Sequence, residues 1–124
     1  MKNKGRDVTM NYVEMNINEK EYKLTLNMRN MILLEKQLGE NPLNKLIEMG
    51  NKMPDFDFLI TVMFYAMKKY QPKLKLDDVY DIVDDYLAEE ENDLTSLITI
   101  IMQIFEVSGY FRQGAVDKQQ PKDE

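Results

Sequence analysis

Apolar and polar residues alternate near the N-terminus of the chain. Residues 8–27, VTMNYVEMNINEKEYKLTLN, have a period of two on both sides of the polar stretch 18–21. Such alternation is typical of strands with one buried face. It predicts a β-hairpin in which Ile17 lies opposite Tyr22 and all the apolar side chains share one face. The other apolar pairs of this register are Met15 with Leu24 and Val13 with Leu26.

From residue 28 onward the spacing of apolar residues changes to that of α-helices. Gly39 and Gly50 follow the first two apolar segments, where glycine ends a helix at least cost in backbone strain. Asn41 and Pro42 begin the second segment as a cap followed by a first-turn proline. Five helices are predicted, at about residues 28–38, 42–49, 56–70, 76–90 and 93–108.

These elements predict an α+β fold, mainly α, with an N-terminal β-hairpin packed on a bundle of about five helices. With 124 residues and 44% hydrophobic content, the chain is long enough to bury a core within one domain. We place this single globular domain at residues 1–112. Residues 113–124, QGAVDKQQPKDE, contain too few apolar side chains to pack, and we expect a disordered polar tail there.

One charged residue interrupts the apolar face of the first predicted helix. At 100° per residue, Glu35 points into a group formed by Met28, Met31, Ile32, Leu34 and Leu38. A buried carboxylate needs a partner, because an unpaired buried charge is very costly. We expect a structural role for Glu35, either in accepting hydrogen bonds from the start of the next helix or in pairing with Arg29.

The third and fifth helices are more apolar than one buried face requires. Besides the stripe expected to face inward, which in helix three is Phe56, Leu59, Ile60, Met63, Met67 and Tyr70, each carries a second stripe. A helix that is apolar all round is either central to a core or covered by another polypeptide. The hairpin would cover the second stripes in the first case, and a protein partner would bind them in the second. The candidate partner-binding residues are Phe58, Val62, Tyr65, Ile100 and Val107.

Acidic residues dominate the fourth helix. The segment DDVYDIVDDYLAEEEND, residues 77–93, has no basic residue, and its interleaved apolar positions predict an amphipathic helix with an acidic outer face. This face is either simply solvated or a docking surface for a basic partner. A calcium site is disfavoured, because EF-hand ligands alternate around a glycine on non-helical backbone.

Composition narrows the classes of function. The chain has no cysteine and no histidine, which excludes thiolate chemistry and disulfides and leaves no Ser/His/Asp triad. Catalysis would have to rest on carboxylates, lysine or tyrosine, and an enzyme of this kind is the least favoured class. We expect no catalytic residue, no metal and no cofactor. A net charge of −6 disfavours nucleic acid as a ligand. The longest apolar stretches are about half the roughly 20 residues of a membrane span, so we expect a cytoplasmic protein without membrane contact. Nothing in the pattern selects an oligomeric state.

The order of these segments resembles a known family. The stretch YKLTLNMRNMILLEKQLGENPLNKL, a helix end MKKYQP, the segment LKLDDVYDIVDDYLAEE and a terminal SGYF are similar to tail assembly chaperones of long-tailed bacteriophages that infect Gram-positive hosts. The similarity extends over about residues 20–111. Its most specific elements are Glu35 and Gly39 within LEKQLG, the YQP helix end and the DVYDIVDDY helix. None of these is a catalytic motif.

The resemblance implies a non-enzymatic protein that acts in the cytoplasm of the host bacterium during tail morphogenesis. Such a protein binds the tape measure protein, which is long, helical and prone to aggregate, and helps to recruit tail tube protein. Spare apolar stripes and an acidic exterior suit this task. The alternative is a small acidic regulatory protein that mimics nucleic acid and occupies a basic site on another protein.

Overall fold

The N-terminal hairpin consists of β1 (Val13–Ile17) and β2 (Lys20–Leu24). The computed structural model describes residues 11–50, 52 and 55–111. The first residues of the predicted hairpin, 8–10, and the predicted tail, 113–124, lie outside the described residues. The strands are antiparallel, with Ile17 opposite Lys20.

The predicted register of the hairpin is wrong by two residues, since Met15 lies opposite Tyr22 and Val13 opposite Leu24. The turn contains only Asn18 and Glu19, with φ angles of 51° and 68°. Two successive left-handed residues form the tight turn that matches strand twist, and asparagine tolerates this conformation better than most residues. Because a shift of two keeps each side chain on its face, the apolar residues still point toward the core.

Five helices follow: α1 (Met28–Leu38), α2 (Pro42–Met49), α3 (Phe56–Met67), α4 (Leu76–Ala88) and α5 (Leu94–Val107). The predicted fold class, α+β and mainly α with an N-terminal hairpin, is confirmed. The helix ends differ from the predicted ends by up to three residues. Helix α3 ends at Met67 instead of residue 70, and α4 ends at Ala88 instead of residue 90.

Side-chain caps and glycines set the ends of the shorter helices. Asn27 Oδ1 accepts the Asn30 N–H at 2.9 Å, and Asn41 Oδ1 accepts the Leu43 N–H at 2.8 Å. Gly39, at φ 80°, donates its N–H to the Glu35 carbonyl. Gly50, at φ 55°, closes α2 by donating to carbonyl groups of its last turn. The turn between α1 and α2 is therefore fixed by local hydrogen bonds.

Helix α3 lies at the centre, in contact with α1, α4, α5 and β2. Hydrogen bonds tie the backbone of β2 and the residues after it to the helices. Gln71 joins Lys23 in both directions, with Lys23 N–H to Oε1 at 2.9 Å and Nε2 to the Lys23 carbonyl at 3.0 Å. The Thr25 N–H donates to the Ala66 carbonyl at 2.9 Å, and the Leu26 N–H donates to Ser108 Oγ at 2.8 Å. This edge of the hairpin thus pairs with α3 and with residues that follow α3 and α5, instead of with a third strand.

Candidate functional site

Helix α3 presents an exposed apolar side, and α4 continues it. Phe56 and Tyr80 are 63% and 47% exposed, and Leu76 is also exposed. Residues 56, 60 and 64 follow one another at four-residue spacing on α3, and residues 76, 80 and 87, at spacings of four and seven, share one side of α4. We call this surface the α3–α4 seam and define it by Phe56, Ile60, Phe64, Leu76, Tyr80 and Leu87.

Two recesses lie along the seam, one on each side of Ile60, which lines both. The first has a volume of about 210 Å³, and its lining is entirely apolar: Phe56, Leu59, Ile60, Val83, Leu87, Leu94 and Leu97. The second, of about 130 Å³, is lined by Gln37, Asp57, Ile60, Thr61, Phe64, Tyr65, Leu76 and Tyr80. The beginning of α3 therefore lies beside the end of α4, so the two helices run antiparallel along the seam.

The sequence-based assignment of the two sides of α3 is wrong in part. Phe58 and Val62, expected to bind a partner, are 2% and 0% exposed, whereas Phe56, expected to face inward, is exposed. Both sides of this helix are apolar, so hydrophobicity alone does not select the buried one. The hairpin, α1 and α5 determine it, because α3 packs against all three.

The remaining candidate residues are half-buried and do not form one group. Tyr65 lines the smaller recess of the seam. Val107 lines a separate recess of about 530 Å³ near the end of α5, which also contains Tyr12, Gln103 and Glu106. Ile100 lines none of these three recesses. Of the five predicted residues, Tyr65 alone lies at the seam.

The acidic residues of α4 lie beside the seam and point to solvent. Val79, Ile82, Val83 and Tyr86 are buried, so α4 is the amphipathic helix that the sequence predicts. By helical spacing, Asp77 and Asp84 lie next to Tyr80, and Asp81 and Asp85 lie farther round the helix. All four are exposed. The part of the chain that the structure describes contains no cluster of acidic residues placed to hold a metal ion.

Glu35 lies on the surface instead of within an apolar face, which corrects the expectation that it is buried. Helix α1 buries Asn30 and Leu34, so Met28 and Ile32 near Glu35 are exposed as well. The start of α2 is capped by Asn41. The Glu35 charge instead acts on Tyr110: burial first, and then this charge, raise the pKa of the Tyr110 hydroxyl.

Sequence reasoning missed the exposed members of the seam. Apolar residues at four-residue spacing occur on both α3 and α4. This spacing indicates a shared surface only once the two helices are known to be neighbours. It also missed Gln71 and Ser108, which hold the hairpin in place. Both lie in segments that carry the family resemblance, MKKYQP and SGYF.

Each helix within residues 11–50, 52 and 55–111 is too short or too polar to span a membrane.

Comparison with known proteins identifies the family. No curated protein and no solved structure matches the chain significantly. The family described as phage tail assembly chaperone protein, TAC, matches residues 14–118, which is most of the chain, and its description points to a non-enzymatic role. The chain therefore belongs to the phage tail assembly chaperones.

Proposed function

We propose that this chaperone binds the tape measure protein of its phage and keeps it soluble until the tail tube assembles around it. The α3–α4 seam is the binding surface in this proposal. The observation that carries it is the exposure of Phe56 and Tyr80 beside two recesses, of which the larger is entirely apolar. A contiguous apolar surface of this kind is typical of protein contact sites and an aggregation hazard when nothing covers it.

The shape of the seam suits a helical client. Grooves between antiparallel helices bind amphipathic helices, whose apolar residues insert at spacings of three and four. A tape measure protein is a long helical protein, and its apolar stripes would associate with one another before the tube encloses them. Covering one stripe at a time would keep the client in solution, in the cytoplasm of the host cell.

Recruitment of tail tube protein, the second part of the proposal, needs a surface that the client leaves accessible. Helix α1 carries a separate exposed apolar strip, consisting of Met28 and Ile32, which are four residues apart on one side of the helix. We assign tube recruitment to this strip, because a chaperone that bridges two tail proteins must bind both at once. Replacing Ile32 by Gln should weaken capture of tube protein and leave the tape measure protein soluble.

Co-expression with the tape measure protein tests the proposal. Wild type should keep the client in the soluble fraction and retain it in a pull-down at high salt, because apolar contacts persist there. The double variant Phe56→Gln/Tyr80→Gln should lose most of the soluble client. Ile47→Gln on α2 is the matched control, since Ile47 is 73% exposed and lies outside the seam. Equal solubility with the double variant and the control would refute binding at the seam.

The second candidate function is an acidic regulatory protein that mimics nucleic acid. It is favoured by the exposed aspartates of α4, which include Asp77, Asp78, Asp81, Asp84 and Asp85. Complexes formed through this face would weaken steeply as the salt concentration rises, because the contacts would be charge pairs in water. Binding that disappears at high salt and is indifferent to Phe56→Gln/Tyr80→Gln would support the mimic over the chaperone.

A further inference from the structure

Charge is distributed unevenly along the borders of the α3–α4 seam. On the α4 side, Asp77 and Asp84 are two helical turns apart and lie beside Tyr80. On the α3 side, Asp57 lines the smaller recess, and Lys68 lies 5.2 Å from the centre of the Phe64 ring. The α4 border is thus uniformly acidic and the α3 border is mixed.

We propose that the seam selects an amphipathic helix with lysine or arginine on the flank that meets α4. This inference rests on the proposed function and specifies the class of segment within the client. The apolar ridge of that helix lies along the seam, and its basic flank pairs with Asp77 and Asp84. Opposite charges at the rim of an apolar contact fix orientation and exclude segments with acidic flanks.

The dimensions of the seam fit a ridge two turns long. Phe56 and Phe64 are eight residues apart, which is about 12 Å at the rise of an α-helix. The recesses, of about 210 and 130 Å³, lie at the two ends of this interval. A cavity of about 150 Å³ accommodates a benzene ring, so the larger, entirely apolar recess accepts one large apolar side chain. The smaller recess, which Asp57 and Thr61 also line, accepts a smaller side chain. Residues seven or eight apart on the bound helix would occupy both.

Synthetic helical peptides provide the probe. Three peptides share one leucine and phenylalanine ridge and differ along one flank, which carries lysine, glutamine or glutamate. Fluorescence anisotropy with the full chain measures their affinities. The lysine peptide should bind about tenfold more tightly than the glutamate peptide at low salt, and the difference should shrink in high salt. Equal affinities at low salt would overturn the inference.

Paired variants separate contact at the border from the overall negative field. Asp77→Asn/Asp84→Asn and the control Asp81→Asn/Asp85→Asn each remove two exposed charges from the same helix. Only the first pair should weaken the lysine peptide, by about fivefold, as expected for two exposed ion pairs. Equal losses in both pairs would overturn the inference. Thermal unfolding followed by circular dichroism establishes that both variants remain folded.

The outcomes distinguish this inference from the proposed function. If the peptides show no charge preference while Phe56→Gln/Tyr80→Gln still releases the tape measure protein, selection by charge is wrong and the chaperone function stands. If the lysine peptide is preferred but the tape measure protein is never retained, the proposed client is wrong. Light scattering of the isolated chain tests whether a second copy of the chain occupies the seam. A dimer that dissociates in Tyr80→Gln would assign the seam to that second copy instead of to the client helix.

Discussion

The two sides of helix α3 have similar composition and different surroundings. Phe58 and Val62 on one side are fully buried, whereas Phe56 on the other side is 63% exposed. The buried side is covered by the hairpin and neighbouring helices, whose backbone and side chains hydrogen-bond across the contact. The difference shows that tertiary neighbours, more than the hydrophobicity of the helix itself, decide which apolar residues form the core and which remain available to a partner.

The largest expected effect comes from truncating one phenylalanine on each side of α3. Phe58→Ala should lower the free energy of unfolding by about 3–5 kcal/mol, because it leaves a cavity in the core. Phe56→Ala should change it by no more than about 0.5 kcal/mol, because the side chain is mostly in water. Urea unfolding followed by circular dichroism gives both values. Similar losses for the two variants would contradict the assignment of sides.

Next in size is the effect of weakening the attachment of the hairpin, which packs on the buried side of α3. Gln71→Ala removes the hydrogen bonds that join Lys23 to the end of α3 and should destabilise the chain by about 1–2 kcal/mol. The isosteric variant Gln71→Glu keeps the acceptor for the Lys23 N–H but turns a carboxylate oxygen toward the Lys23 and Met67 carbonyl oxygens, so it should not recover this loss. Hydrogen exchange at Lys23 should accelerate in Gln71→Ala. Exchange that stays at the wild-type rate would show that Gln71 does not hold the hairpin.

The fold class, several helix ends and the amphipathic character of α4 could be predicted, because they depend on local signals such as Asn41–Pro42 and Gly39. The hairpin register could not, because it depends on a two-residue turn with left-handed residues and no glycine. The exposed side of α3 could not either, because both sides are apolar and the choice is made by distant segments. The exposure of Glu35 could not be predicted either, because the apolar side chains near it on α1, Met28 and Ile32, are themselves exposed.

The smallest expected effect is on the titration of Tyr110, which lies at the edge of the core. Burial and the Glu35 charge raise the pKa of Tyr110, and its ring stacks edge-on against Phe105 with centroids 4.9 Å apart. The unfolded chain ionises this tyrosine first, so the contribution of Tyr110 to stability is constant below pH ~10 and falls as the pH rises further.

Glu35→Gln should lower the pKa of Tyr110 toward its value in the unfolded chain and reduce the stability lost at high pH, because it removes the nearby negative charge. Ultraviolet absorbance of the tyrosinate, compared with Tyr110→Phe, isolates the signal of this residue. Glu40→Gln controls for net charge and should leave the titration of Tyr110 unchanged. A titration of Tyr110 in Glu35→Gln identical to wild type would remove the electrostatic link between the two groups.

Hydroxyl-radical footprinting of the complex with the tape measure protein tests the central claim most directly. Phe56 and Tyr80 report on the seam, while Met28 and Met102 are exposed elsewhere and react readily. Binding at the seam predicts strong protection of Phe56 and Tyr80, with the oxidation of Met28 and Met102 unchanged. Protection of Met28 or Met102 while Phe56 and Tyr80 stay as reactive as in the isolated chain would contradict the account.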